Sequence, residues 1–310
     1  MAGVVRTTYH RAVPEPWFRD HRHATERSEN RVRFARIVAR PDPLIDLTEA
    51  CECIAEEAEP GLRPVSLSGE FDALAERTRS RLPAGMREAA SPESGIRTPA
   101  QLRAILEGLH TLLYVEMGLR GAPRDEWEPR HTYLADVLER GRGLPIALGL
   151  IELEIGRRLG LPLFGIGLPG HFILGGPDGL LLDPYHQGAV ITPGDCEALM
   201  RQATGRPIEF RRAMLRPATR REIIARILGN LRGIYLSRRE WANALWTLEL
   251  LVILEPADPG LRRDRALLYG RVGRYSDAAR GLDRYLADVP DAGDADDVRT
   301  ARAILGGLRN

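Results

Sequence analysis

His171 and Asp183 are the two residues whose types and spacing could support acid–base chemistry. His171 opens the short apolar run Phe172–Leu174, and Asp183 closes the next, Leu180–Leu182. The turn formers Gly175-Gly176-Pro177-Asp178-Gly179 lie between them. Such spacing predicts an antiparallel hairpin. Centred on Pro177, that hairpin sets Leu174 against Leu180, Phe172 against Leu182 and His171 against Asp183. Opposed residues share a face with Cβ atoms about 4.5–5.5 Å apart, within reach of an imidazole–carboxylate hydrogen bond. The expectation is a His–Asp dyad, in which the carboxylate fixes the imidazole tautomer and the ring takes a proton from a nucleophile. A slip of one residue would send the two side chains to opposite faces.

Nucleophiles are scarce. Cys51 and Cys53 lie two apart on a predicted helix, so their side chains diverge by about 200° and read as packed core thiols. Cys196 falls in the first turn of a helix announced by Thr192-Pro193 and Asp195, a position that lowers a thiol pKa, and is the one candidate for a relocated nucleophile. His186, just past Asp183, could join the dyad around a metal, but no ligand spacing repeats; no metal and no cofactor is expected. All 44 basic residues are Arg, which excludes the P-loop lysine, Schiff-base chemistry and a lysine general base.

The elements that position these residues follow from periodicity. Residues 1–31 mix charge, Pro and His without apolar period and read as a loosely ordered arm. From Pro43 to Met117 apolar residues recur at three and four, with helix starts at Asp46 or Thr48, at Ser68 and at Thr98-Pro99. Pro145–Leu159 is apolar nearly all round, as a central buried helix is, and Gly160 stops it. Four short apolar runs between Leu163 and Ile191 then read as an antiparallel meander. From about Ile223 the chain repeats every 34 residues, pairing Trp241 with Tyr275, Ala244 with Ala278, Leu248 with Leu282 and Pro256 with Pro290. That period, with small Ala at helix crossings, predicts a tetratricopeptide pair, and Asp297–Leu308 would cap it.

Charge adds exclusions. Forty-four basic and 43 acidic residues leave a net +1, which provides no overall field toward nucleic acid or an anionic membrane. Residues 206–226 hold seven Arg against two Glu; lacking interleaved aromatics apart from Phe210, they read as a solvated linker face or a surface that pairs with acids of this same chain, and no nucleic-acid partner is expected. Residues 1–30 contain no apolar stretch of signal-peptide length, so a cytoplasmic protein with reduced thiols and no membrane contact is expected.

Arg142-Gly143-Leu144-Pro145-Ile146, Gly160-Leu161-Pro162, Leu168-Pro169-Gly170-His171-Phe172 and Leu182-Asp183-Pro184 resemble the bacterial SirB-type proteins, which join a transglutaminase-like core to tetratricopeptide repeats. The resemblance runs from about Phe34 to Pro290 and implies an α+β fold: a transglutaminase-like core of helices and antiparallel sheet at 32–205, an Arg-rich linker at 206–217 and all-α repeats with a cap at 218–308. It carries over the base and its orienter as His171 and Asp183. In active relatives a Cys nucleophile begins the central helix, where this chain has Gly143-Leu144-Pro145, and no Cys, Ser or Thr occurs from Gly141 to Leu163. The expected function is a non-catalytic interaction or scaffold module. A protein or peptide partner would sit in the repeat groove on Asn230, Tyr235, Arg262 and Arg265. The alternative is a cysteine hydrolase or transamidase that uses Cys196.

Overall fold

The computed structural model describes residues 20–59, 66–93, 96 and 98–308. Five helices come first: α1 (Asp20–Val38), α2 (Leu47–Ala58), α3 (Leu67–Arg79), α4 (Ala84–Arg87) and α5 (Pro99–His110). Their starts follow local chemistry. Asp46 caps α2 by accepting from the Glu49 N–H, and Thr98 and Gln101 exchange bonds in a capping box at α5. The cap of α3 is Ser66 rather than the expected Ser68.

Two short strands, β1 (Arg120–Gly121) and β2 (Arg142–Gly143), pair in parallel around α6 (Leu134–Arg140). The central helix α7 (Pro145–Arg158) is buried over most of its length. Four antiparallel strands then run in sequence order, β3 (Phe164–Leu168), β4 (His171–Gly175), β5 (Leu181–Asp183) and β6 (Ala189–Val190). Phe172, Leu174 and Leu182 join the main core with α7, whereas Ile166, Leu168, Ile173 and Leu181 form a second core with Cys196 and Met200 of α8 (Pro193–Thr204). The repeats are α9 (Arg220–Ser237) with α10 (Trp241–Leu254) and α11 (Pro259–Arg271) with α12 (Tyr275–Asp288), closed by α13 (Ala295–Gly306). Helices α10 and α12 begin and end 34 residues apart, as the repeat requires. Among the described residues no helix is long and apolar enough to cross a membrane.

The expected arm lies outside the described residues as far as 19. From Asp20 the chain is helical, so the boundary expected at residue 32 falls inside α1. Phe34, Ile37 and Val38 of that helix are buried in the main core, and Arg31 bridges Glu57 of α2 and Glu249 of α10 at 2.6 and 2.7 Å. The main core is continuous from Phe34 to Leu268, across both expected domains. Helix α9 makes this happen. Asp42 accepts from the Arg220 and Arg221 N–H groups at its start, Arg226 donates to the Leu168 and His171 carbonyls at 2.7 Å, and Tyr235 hydroxyl bonds Tyr133 hydroxyl at 2.7 Å.

The Arg-rich stretch is in part paired with acids of the same chain, as Arg216 is with Glu222, but Arg220 and Arg221 also serve internal carbonyls, of Ile45 and Leu254, each at 2.8 Å. The linker is only partly solvated, because Ile208, Phe210, Met214 and Leu215 pack onto the second core.

Candidate functional site

The hairpin that carries the dyad turns one residue later than its sequence suggested. Leu174 pairs with Leu182 and Gly175 with Leu181, which centres the turn on Asp178. The cause is the three-residue turn Pro177–Gly179, in which Asp178 (φ +54°) and Gly179 (φ +77°) are both left-handed. Moving the centre by one residue shifts the pairing by two, and two is the period of a strand, so His171 and Asp183 keep a common face as diagonal neighbours. His171 Nε2 lies 3.0 Å from each carboxylate oxygen of Asp183.

Asp183 gathers further donors. The Tyr185 N–H donates to Oδ1 at 3.0 Å, and His186 Nδ1 lies 2.7 Å from Oδ2. The turn that folds His186 back is made by Gln187 (φ +58°) and Gly188 (φ +72°). Burial pushes the Asp183 carboxyl up, but the bonds from His171 and His186 outweigh it and hold the group well below the usual carboxylate range. The bond to Asp183 raises the His186 pKa. The Tyr185 ring stands edge-on to both imidazoles, at 5.6 and 5.2 Å, and its hydroxyl donates to the Ala122 carbonyl at 2.6 Å. Gly121 is required beside it: an added Cβ would meet the ring at 2.4 Å.

A cavity of about 260 Å³ opens beside the cluster, lined by Arg124, His171, Tyr185, His186, Leu199 and Gln202. Arg124 lies 4.9 Å over the Trp127 ring. His171 is 1% exposed, and its Nδ1 is buried without a hydrogen-bond partner. Sequence reasoning missed Arg124, Tyr185, Leu199 and Gln202. The Asp-Pro-Tyr turn could have suggested Tyr185, whereas the approach of Arg124 to the Gly170 carbonyl spans 46 residues and leaves no local signal.

No lining residue comes from α7, whose start is Leu144-Pro145. Cys196 is fully buried in the second core and its thiol donates to the Thr192 carbonyl at 3.6 Å. Burial, with Asp195 and Asp183 nearby, pushes its pKa up, the reverse of what a thiolate nucleophile needs. Helix α8 nevertheless carries both Cys196 and the lining residue Leu199. A second buried polar cluster, His110 and Tyr114 on Glu152 of α7, interrupts a helix that the sequence presented as apolar.

The expected partner surface is altered as well. Tyr235 is buried against Tyr133 and Trp246, because the first repeat helix docks on the core, and so it cannot line an open groove. Arg262 pairs with Asp288 at 3.0 Å, Arg265 lies 5.8 Å over Tyr269, and Asn230 is half-buried.

Comparison with known proteins adds the following. The profile of the transglutaminase-like superfamily matches residues 66–229, and a tetratricopeptide-repeat profile matches 231–303. A UPF0162 protein of Xylella fastidiosa is 35% identical over 200 residues, covering 63% of this chain and 71% of the relative. One from Pseudomonas aeruginosa is 36% identical over 143 residues, covering 46% and 53%. Human F-box only protein 21 is 26% identical over 201 residues, covering 60% of this chain and 31% of that protein. No solved structure matches.

Proposed function

The chain belongs to the transglutaminase-like superfamily, with tetratricopeptide repeats after the core, and from that premise we propose that it is a non-catalytic member acting as an interaction or scaffold module. One observation carries this reading: a base and its orienter are built, and among the described residues no activated nucleophile stands beside them. The start of α7 offers Leu144 and Pro145, and Cys196 is buried with a raised pKa. A partner binds through the repeats, as such repeats commonly do. With Tyr235 occupied by the core, the open part of the array is its last helix and the residues just after it, where Ile304 is 63% and Leu308 47% exposed. The similar stretch fills only 31% of human F-box only protein 21, which supports a core that works as a module in different settings. The Pro-Gly-His-Phe and Asp-Pro elements support the narrower SirB-type assignment, and three unpaired cysteines support a cytoplasmic setting.

The test has two arms. Intact-mass analysis after incubation with glutamine peptides and amine donors gives no acyl adduct if the reading holds, and an adduct on any residue overturns it. Partner capture from the native cell extract is lost in an Ile304→Glu/Leu308→Glu variant that keeps the wild-type circular dichroism; full retention moves the binding surface elsewhere.

A further inference from the structure

His171, Asp183 and His186 bring two imidazole nitrogens and a carboxylate oxygen within 4.8 Å of one another. The direct separations are 3.0 Å from His171 Nε2 to Asp183 and 2.7 Å from Asp183 to His186 Nδ1. Ligands bound at about 2.0–2.2 Å around one first-row ion lie roughly 2.9–3.5 Å from their neighbours, from octahedral to tetrahedral geometry. Two of the three separations already stand close to the edges of such a polyhedron, and the two imidazole nitrogens, within 4.8 Å of each other, need only a small approach to complete it. We propose that the cluster is a mononuclear site for a divalent transition ion, held by His171 Nε2, an Asp183 oxygen and His186 Nδ1 and open toward the cavity.

Four features of the surroundings fit this assignment. The Tyr185 N–H holds Asp183 by backbone, so the carboxylate keeps its orientation when the imidazoles turn from donors into ligands. Coordination needs a lone pair on each ligating nitrogen, so each neutral ring must carry its proton on the other one. In His171 that nitrogen is Nδ1, which among the described residues meets no donor that would forbid a proton there. In His186 it is Nε2, on a side chain 48% exposed, which also gives an ion a way in. Finally, the cavity leaves room for further ligands. A 2+ ion on one carboxylate keeps a net positive charge, so an oxyanion or hydroxide completes the shell, and Arg124 on the cavity wall favours such an anion.

The donor set narrows the ion. Two imidazoles and one carboxylate suit zinc, iron, cobalt or nickel, whereas magnesium and calcium prefer oxygen alone. Metal-ligand spacing was absent from the sequence because the ligands come from two elements: His171 from the start of β4, Asp183 and His186 from the end of β5 and the turn after it.

The experiment uses the full chain, stripped with a chelator and then titrated with zinc by calorimetry and by competition with a chromophoric chelator. One equivalent is expected to bind, and His186→Ala or Asp183→Asn to weaken it at least about 100-fold, since even losing an outer-shell partner costs 10–100-fold. His110→Gln, which alters a partly buried imidazole outside the cluster, should bind as wild type. Cobalt(II) should give a visible d–d band in wild type that His186→Ala loses. His186 is half-exposed, so its variant tests the ligand without removing core packing, and circular dichroism verifies the fold. Less than half an equivalent bound by wild type, or undiminished binding in both ligand variants, overturns the proposal. Neither result depends on whether the repeats capture a partner.

Discussion

Replacing His171 by Phe separates a stabilising ion pair from a site held ready for something else. In the metal-free protein His171 makes one bond, from Nε2 to the Asp183 carboxylate, and buries Nδ1 unpartnered. A bond to a charged acceptor contributes about 1.5–3 kcal/mol, and an unsatisfied buried polar atom costs about 1–3 kcal/mol. The two nearly offset, and Phe removes both while keeping an aromatic ring of similar size. The expected loss for His171→Phe is therefore small, about 1 kcal/mol. Asp183→Ala is different, because Asp183 accepts from His171, His186 and the Tyr185 N–H. Removing it strands the buried His171 and the Tyr185 N–H around a hole, while the half-exposed His186 turns to water, and should cost about 3–5 kcal/mol. Urea unfolding at pH 7 with chelator present, followed by far-ultraviolet circular dichroism, compares the midpoints at common slope. In the Asp183→Ala background, His171→Phe should cost nothing, which gives a coupling of about 1 kcal/mol. If His171→Phe alone loses as much as Asp183→Ala, the pair is structural and the unpartnered nitrogen carries no meaning.

Further outcomes follow from the same contacts. All three thiols are pushed up by burial, Cys53 to about 11, so alkylation at pH 8 should run on the order of 100-fold slower at Cys53 than at a free thiol and slower than a free thiol at Cys51 and Cys196; one fast cysteine would contradict the non-catalytic reading. The lowered Asp183 pKa contributes stability above about pH 4 that is lost as pH falls through the folded value, and the raised His186 pKa contributes stability below about pH 6.5 that is lost as pH rises through the folded value. Without metal, the melting-temperature gap between wild type and His186→Ala should therefore be widest at roughly pH 5–6 and close toward pH 9; a gap that grows with pH refutes this ordering. Gly149→Ala gains about 1 kcal/mol of helix propensity but sets a Cβ 2.7 Å from the Phe172 ring, whose far edge is held by Gly165. Overpacking of about 1–3 kcal/mol wins, and a melting temperature at or above wild type would show that the ring can move aside.

What could be read from sequence was whatever a short period encodes. Ala244 and Ala278 mark helix crossings, so the repeat could be seen before its helices. The shared face of His171 and Asp183 was legible because a strand's period is two, while their register was not, because it hangs on the left-handed conformations of Asp178 and Gly179. The domain boundary was least legible. Ile223, Ile224, Ile227, Leu228 and Leu231 of α9 are all buried, a stripe too wide for one packing partner, yet a linear pattern does not say that the second partner is the core. The convergence of Arg124 on the cavity was silent for the same reason: it depends on a loop and a strand turn far apart in sequence.

Helix α9 has a consequence for how the protein comes apart. It supplies the first helix of the repeat array and, through Asp42, Arg226 and Tyr235, three anchors along the core. Repeat arrays ordinarily fray from their ends one unit at a time. Here the end nearest the core has no independent unit to release, because opening the first repeat would bare the apolar stripe of α9 and free the turn that carries His171. Loss of order therefore runs inward from α13, α12 and α11, and at α9 it stops being gradual: the first repeat and the core form one cooperative block that melts together, leaving the outer repeat to breathe alone.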